Sequence, residues 1–245
     1  MKFFSHRPTI IVLHGWNLSG EKFAPLAQGL RRRGYRVFTP DLPGFGKEPA
    51  PGKPWHVEDY ARFVREWLRK NRIRKPVFIG HSFGGRVSLK YSQMFPEDVE
   101  SLILAGTPGF SPVPQKRLIF FLLVAKVGRI MFSLPPFNFF ADWARRWLYY
   151  LAGAREFFQA EGAMRQTFKN IVQDDLVPSM EDVKVPCLLL WGEYDLIVPV
   201  AIAHRMEEVI PRAQLKVIHE ADHGAPYKQP EIFVSYVDGF LKVTV

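Results

Sequence analysis

The chain has 245 residues, enough for one α/β domain carrying an insertion, and its 47% hydrophobic and 23% charged content places it with folded globular proteins and away from disordered ones. A single cysteine, Cys187, excludes an intrachain disulfide and reads as inert packing in a buried strand. The net charge of +9 favours anionic partners, but no zinc-ligand spacing, basic-region heptad or aromatic RNP-like strand accompanies it, so nucleic acid is not expected as a partner. Much of the surplus lies in Arg31, Arg32 and Arg33 and between Arg62 and Lys75, where cations alternate with apolar residues as on solvated helix faces.

The opening residues reach His6, Arg7 and Pro8 before any useful apolar run, so they do not read as a signal peptide and a cytoplasmic location is expected. Thr9 to Leu13 is a short β-branched strand, Glu21 to Arg33 has helical apolar spacing, and Tyr35 to Thr39 is a second strand followed by a Gly- and Pro-rich loop, 40–46. Val57 to Arg69 repeats the helical pattern, Val77 to Ile79 is too apolar for a half-exposed strand, Gly84 to Phe95 is helical, and Val99 to Ala105 is a fourth strand. Four strands alternating with helices predict a parallel, doubly wound sheet. From Pro108 to about Asp182 the alternation gives way to apolar, aromatic helices punctuated by prolines; within it, Leu118 to Val127 is interrupted by charge well short of the ~18 residues a membrane span needs. Two further strands, Val185 to Trp191 and Leu215 to Ile218, and helices from about Val200 to Val209 and Ile232 to Leu241 complete the sheet. The predicted organisation is therefore a core of residues 1–108 and 183–245 with a helical segment, 109–182, inserted.

Gly80-His81-Ser82-Phe83-Gly84 falls between a buried strand and a helix, the context in which a G-x-S-x-G match exposes its serine on a strained turn at the sheet's carboxyl edge. A serine hydroxyl is a weak nucleophile, so this chemistry needs a base and a group that orients the base. Asp195, in the loop after the strand ending at Trp191, is the expected acid, and His223, between the last strand and last helix, the expected base. Glu193 and Asp222 are rivals for the acid and His219 for the base; His81 and His14 read as structural. Backbone N–H groups of Phe83 and Trp16 are the expected oxyanion donors.

Together with the His14-Gly15-Trp16 turn, the 41–46 loop and Trp191-Gly192-x-x-Asp195, these motifs make the chain resemble the α/β-hydrolase superfamily over nearly its whole length. The order Ser, Asp, His is the order of that fold. The resemblance implies about six mainly parallel strands flanked by helices, with 109–182 as the cap over the site. The family's usual antiparallel opening strands are absent or abbreviated, and Lys47-Glu48 stands where relatives often carry a serine.

The expected activity is hydrolysis of a small-molecule carboxylic ester with an apolar acyl or aryl group, without metal or organic cofactor. Trp16, Phe83, Phe137, Phe140, Trp143 and Val198 are expected to line the substrate pocket. Alternatives on the same residues are carbon–carbon bond hydrolysis of ring-fission products, thioester hydrolysis or acyl transfer, and a hydrolase-like binding protein. The basic, aromatic cap leaves room for membrane-surface contact, and a monomer or homodimer is expected.

Overall fold

The computed structural model describes residues 7–110 and 162–244. Six strands form one parallel sheet: β1 (Thr9–Leu13), β2 (Arg36–Phe38), β3 (Val77–His81), β4 (Ser101–Ala105), β5 (Cys187–Gly192) and β6 (Ala213–Ile218), in the order β2-β1-β3-β4-β5-β6. The chain works outward from β1 to one edge, returns across it to β3, and continues to the other edge. That reversal beside β1 leaves a crevice at the strands' carboxyl ends, where open α/β sheets bind ligands.

Side chains along a strand alternate between faces. Accordingly Ile11, Leu13, Phe78, Leu102, Leu104, Leu189 and Trp191 enter one apolar layer, and Ile10, Val12, Val77, Ile79, Ile103, Leu188 and Leu190 the other. The first layer is roofed by α2 (Val57–Lys70), α3 (Phe83–Met94), α4 (Gly162–Gln173), α5 (Val177–Glu181) and α6 (Val200–Val209); the second by α1 (Ala24–Arg32) and α8 (Pro230–Thr244). Each fully buried branched side chain contributes about 1.5–3 kcal/mol. β3 and β4, fully buried and in the middle of the strand order, are the centre of the fold.

Local chemistry sets the element ends. The helix expected from Glu21 begins instead as a 3-10 turn, Gly20–Phe23, and becomes α-helical at Ala24 because Pro25 fits the first helical turn, where its missing N–H is not needed. The last helix starts at Pro230 for the same reason, after the short α7 (Ala225–Lys228). At the start of α2 the Asp59 carboxylate accepts the His56 N–H at 2.8 Å. Among the described residues no helix is long and apolar enough to cross a membrane.

Candidate active site

Ser82 joins β3 to α3 with φ 51° and ψ −112°, a region that costs a non-glycine residue about 1–3 kcal/mol. The surrounding backbone enforces it. Ser82 N–H donates to Ala105 O at 2.8 Å, tying the turn to the end of β4. The flanking glycines are required by contact: a β-carbon at Gly80 would stand 2.5 Å from Gly85 Cα, and one at Gly84 would run into the Leu13 carbonyl. The turn therefore lifts Ser82 to the carboxyl edge, at the N-terminus of α3.

Asp195 and His223 meet there. His223 Nδ1 lies 2.7 Å from Asp195 Oδ2, while Asp195 Oδ1 accepts the N–H groups of Ile197 (3.0 Å) and Val198 (2.7 Å). The Asp195 side chain is 1% exposed and that of His223 13%. With Nδ1–H donating to the carboxylate, His223 Nε2 is left bare as a proton acceptor. Trp191 Nε1 donates to Val198 O at 2.8 Å and anchors the loop that bends back onto Asp195. Val198, expected on the pocket wall, is buried and holds the acid through its backbone.

Two contacts bind this pair to the serine turn. Gly106, one residue beyond the Ala105 carbonyl that holds Ser82, has φ 54°, and a β-carbon there would stand 2.7 Å from His223 Nδ1 and 3.1 Å from Asp195 Oδ2. Only glycine suits both the conformation and the space. On the other side, the His81 and His223 rings lie 4.8 Å apart and His81 Nε2 is 2.9 Å from His223 O. Burial, with the neighbouring His223, pushes the His81 imidazole down to about 3, so the neutral ring donates Nε2–H to that carbonyl.

The rivals are engaged elsewhere. Glu193 pairs with exposed His219 at 2.6 Å and accepts the Glu220 N–H, and Asp222 accepts the Gly224 N–H and pairs with Lys228. His14 bridges two loops, with Nδ1 2.8 Å from Gly15 O and Nε2 accepting the Leu42 N–H at 2.9 Å. Burial lowers its affinity for a proton, in keeping with that bonding. Asp41 closes its own loop by accepting the Lys47 N–H (2.9 Å) and ties it to the turn after β1 by accepting the Gly20 N–H (2.7 Å).

Phe83 opens α3, where a helix leaves its first N–H groups without intrahelical acceptors. Trp16 is the second residue of the turn closed by Leu18 N–H to Gly15 O at 3.2 Å. Neither N–H donates to another described residue.

A family profile described as alpha/beta hydrolase fold matches residues 8–230. The chain belongs to this hydrolase family. A pimeloyl-[acyl-carrier protein] methyl ester esterase of Aeromonas hydrophila subsp. hydrophila is 26% identical over 97% of each chain. An esterase from Exiguobacterium antarcticum superposes with a TM-score of 0.73 at 22% identity, covering 96% of this chain and 92% of its own. A meta-cleavage product hydrolase from Pseudomonas fluorescens gives 0.69 at 20% identity, covering 97% and 92%.

The hydrolase also carries site features that local sequence patterns do not disclose. Trp16 packs edge-on against Phe45 (4.8 Å between centroids), Phe83 (5.4 Å) and Phe168 (5.0 Å), forming an aromatic wall beside the proposed oxyanion donors. Phe168 comes from α4, whose Thr167 Oγ1 accepts the Trp55 N–H at 2.9 Å and whose Asn170 Nδ2 donates to Trp55 O at 3.1 Å. Arg86, one turn past Ser82, donates to Pro108 O (2.5 Å), Ile171 O (2.6 Å) and Asp174 O (2.6 Å). Burial pushes this guanidinium down to about 10, still charged near neutral pH. The available signal was Arg86, Lys90 and Gln93 at i, i+4 and i+7, a stripe of long polar side chains along one face of the helix. Phe137, Phe140 and Trp143 lie outside the described residues.

Proposed function

We propose that this hydrolase cleaves carboxylic esters of apolar acyl or aryl groups through an acyl-Ser82 intermediate. The carrying observation is the 2.7 Å His223–Asp195 bond, held against the strained serine turn by Gly106 and His81. In this reading Ser82 Oγ attacks the ester carbonyl as His223 Nε2 takes its proton. Asp195, solvated by two backbone N–H groups, holds the ring tautomer and balances the imidazolium. The Phe83 and Trp16 N–H groups stabilise the oxyanion; one such donor is commonly worth about 10²–10³ in kcat. His223 returns the proton to the leaving alkoxide, and a water activated by the same nitrogen releases the acid. Trp16, Phe83 and Phe168 form a wall suited to an apolar acyl group. The pimeloyl-[acyl-carrier protein] methyl ester esterase relative supports the ester reading.

The test is turnover of p-nitrophenyl esters from acetate to laurate by wild type and Ser82→Ala, with a fluorophosphonate probe located by mass spectrometry. Turnover by wild type alone, with the probe on the Ser82 peptide, is expected. Probe labelling without ester turnover would redirect the assignment to carbon–carbon bonds or to binding alone, and a folded protein lacking both would remove Ser82 as nucleophile.

A further inference from the structure

At the opposite end of the sheet from Ser82, α2 ends and the chain enters β3 through two tight reversals, at Arg72 (φ 54°) and Lys75 (φ 42°). These reversals fold a run of cations around a cavity of about 510 Å³. Arg65, Arg69, Arg72, Arg74 and Lys75 line it with a single carboxylate, Asp98, while Leu68, Ile73, Pro76 and Tyr91 supply an apolar floor.

The charge is poorly balanced from within. Arg65 reaches Asp98 at 3.5 Å and stacks over Phe95 at 3.9 Å, and Arg69 pairs with exposed Glu66 at 3.2 Å. Arg72, Arg74 and Lys75 make no ion pair among the described residues. Complementing the negative end of α2 accounts for cations in its last turn, Arg69 and Lys70. It does not account for the three that follow, which lie past the helix end. Like charges gathered around one cavity repel one another, an effect that salt at physiological strength screens over about 8 Å. An anion seated among them relieves that repulsion, and the low-dielectric floor strengthens the attraction.

The donor chemistry narrows the anion. Guanidinium forks match the paired oxygens of phosphate, and a lysine adds a compact point charge. Tyr91 sits at the wall with its phenol pushed by burial above its ordinary value, so it stays a neutral hydroxyl. We infer that this cavity is a binding site for a phosphate group, separate from the ester site and held chiefly by Arg72, Arg74 and Lys75. The phosphate belongs to a soluble phosphorylated molecule or to a lipid headgroup, sources that share this chemistry.

The test titrates inorganic pyrophosphate into wild type by calorimetry at constant ionic strength, beside the variant Arg72→Glu/Arg74→Glu/Lys75→Glu and its neutral counterpart with glutamine at all three positions. In parallel, all three proteins are pelleted with phosphatidylglycerol and phosphatidylcholine vesicles. Saturable pyrophosphate binding by wild type, weakened at least tenfold in either variant, is expected, while p-nitrophenyl acetate turnover stays within about twofold because the serine lies at the other sheet edge. Pyrophosphate binding without vesicle binding assigns a soluble ligand. Pelleting with phosphatidylglycerol alone, lost in the variants, assigns a headgroup. Absence of both in wild type, or affinities unchanged in the glutamine variant, overturns the site. Because the readout is binding, it stands apart from whether Ser82 performs ester chemistry.

Discussion

Asp195 and Asp238 are both carboxylates withdrawn almost completely from water, yet their surroundings are opposite in kind. Asp238, on α8, accepts from Tyr35 Oη (2.9 Å) and is ringed by Arg33 (2.8 Å), Lys242 (2.7 Å) and Arg7 (3.4 Å), so permanent cations satisfy it and tie the last helix to α1. Asp195 has two backbone N–H groups and a titratable imidazole, with no permanent cation bonded to it among the described residues. A carboxylate saturated by fixed charge can only hold structure. One completed by a histidine can answer a change of charge on that ring, as general base catalysis requires.

The contrast predicts separable defects. The largest is in Asp195→Asn, which should lower kcat about 10⁴-fold, roughly 5 kcal/mol of barrier, with folding stability little changed. Steady-state kinetics beside urea denaturation measures both, and a stability loss matching the activity loss would merge the two carboxylates into one class. Arg86→Met comes next, because it strips donors from the carbonyls of Pro108, Ile171 and Asp174. About 3 kcal/mol of stability should disappear, and KM for long-chain esters should rise more than KM for acetate as Phe168 loses its support.

For Asp238→Asn the expected loss is about 2 kcal/mol at pH 7 without a change in kcat. Burial disfavours the Asp238 charge, but bonds from Lys242, Tyr35 and Arg33 overcome this and hold the carboxyl down at about 2. Because the folded value lies below the unfolded one, near 4, the stabilisation is complete above about pH 4 and fades as pH falls towards 2. Urea titrations of wild type and variant should therefore converge across that window. The smallest effect belongs to His81→Phe, which keeps a ring but loses the donor to His223 O. About a tenfold fall in kcat is expected, with the relative rates on esters of different chain length unaltered.

The parts legible in the sequence were those written locally. Alternation and apolar runs identified each of the six strands, although β4 starts at Ser101 where Val99 was expected and β6 extends back to Ala213, because edge and entry residues carry weaker patterns. The strained turn at Ser82 was legible from the Gly80-x-Ser82-x-Gly84 pattern, although part of what demands it, the Leu13 carbonyl against Gly84, lies far back along the chain. That Asp195 and His223 would meet was legible from their places after successive strands. Arg86 and Phe168 were not, since an arginine in a helix and a phenylalanine in an aromatic stretch acquire meaning only through partners some 85 residues away in Arg86's case. His81 was read as structural, but its bond to the carbonyl of His223, 142 residues away, appears only in three dimensions.

Arg86 also has a consequence for how this architecture can change over time. Its guanidinium holds the carbonyl of Pro108, where the chain leaves the sheet, together with those of Ile171 and Asp174, where it comes back. The excursion thus begins and ends at one fastening point, and closing a longer or shorter loop there changes its entropic cost only slowly with length. Over time the chain between Phe110 and Gly162 can therefore change length at little entropic cost while the junction at Arg86, between α3 and α4, is kept.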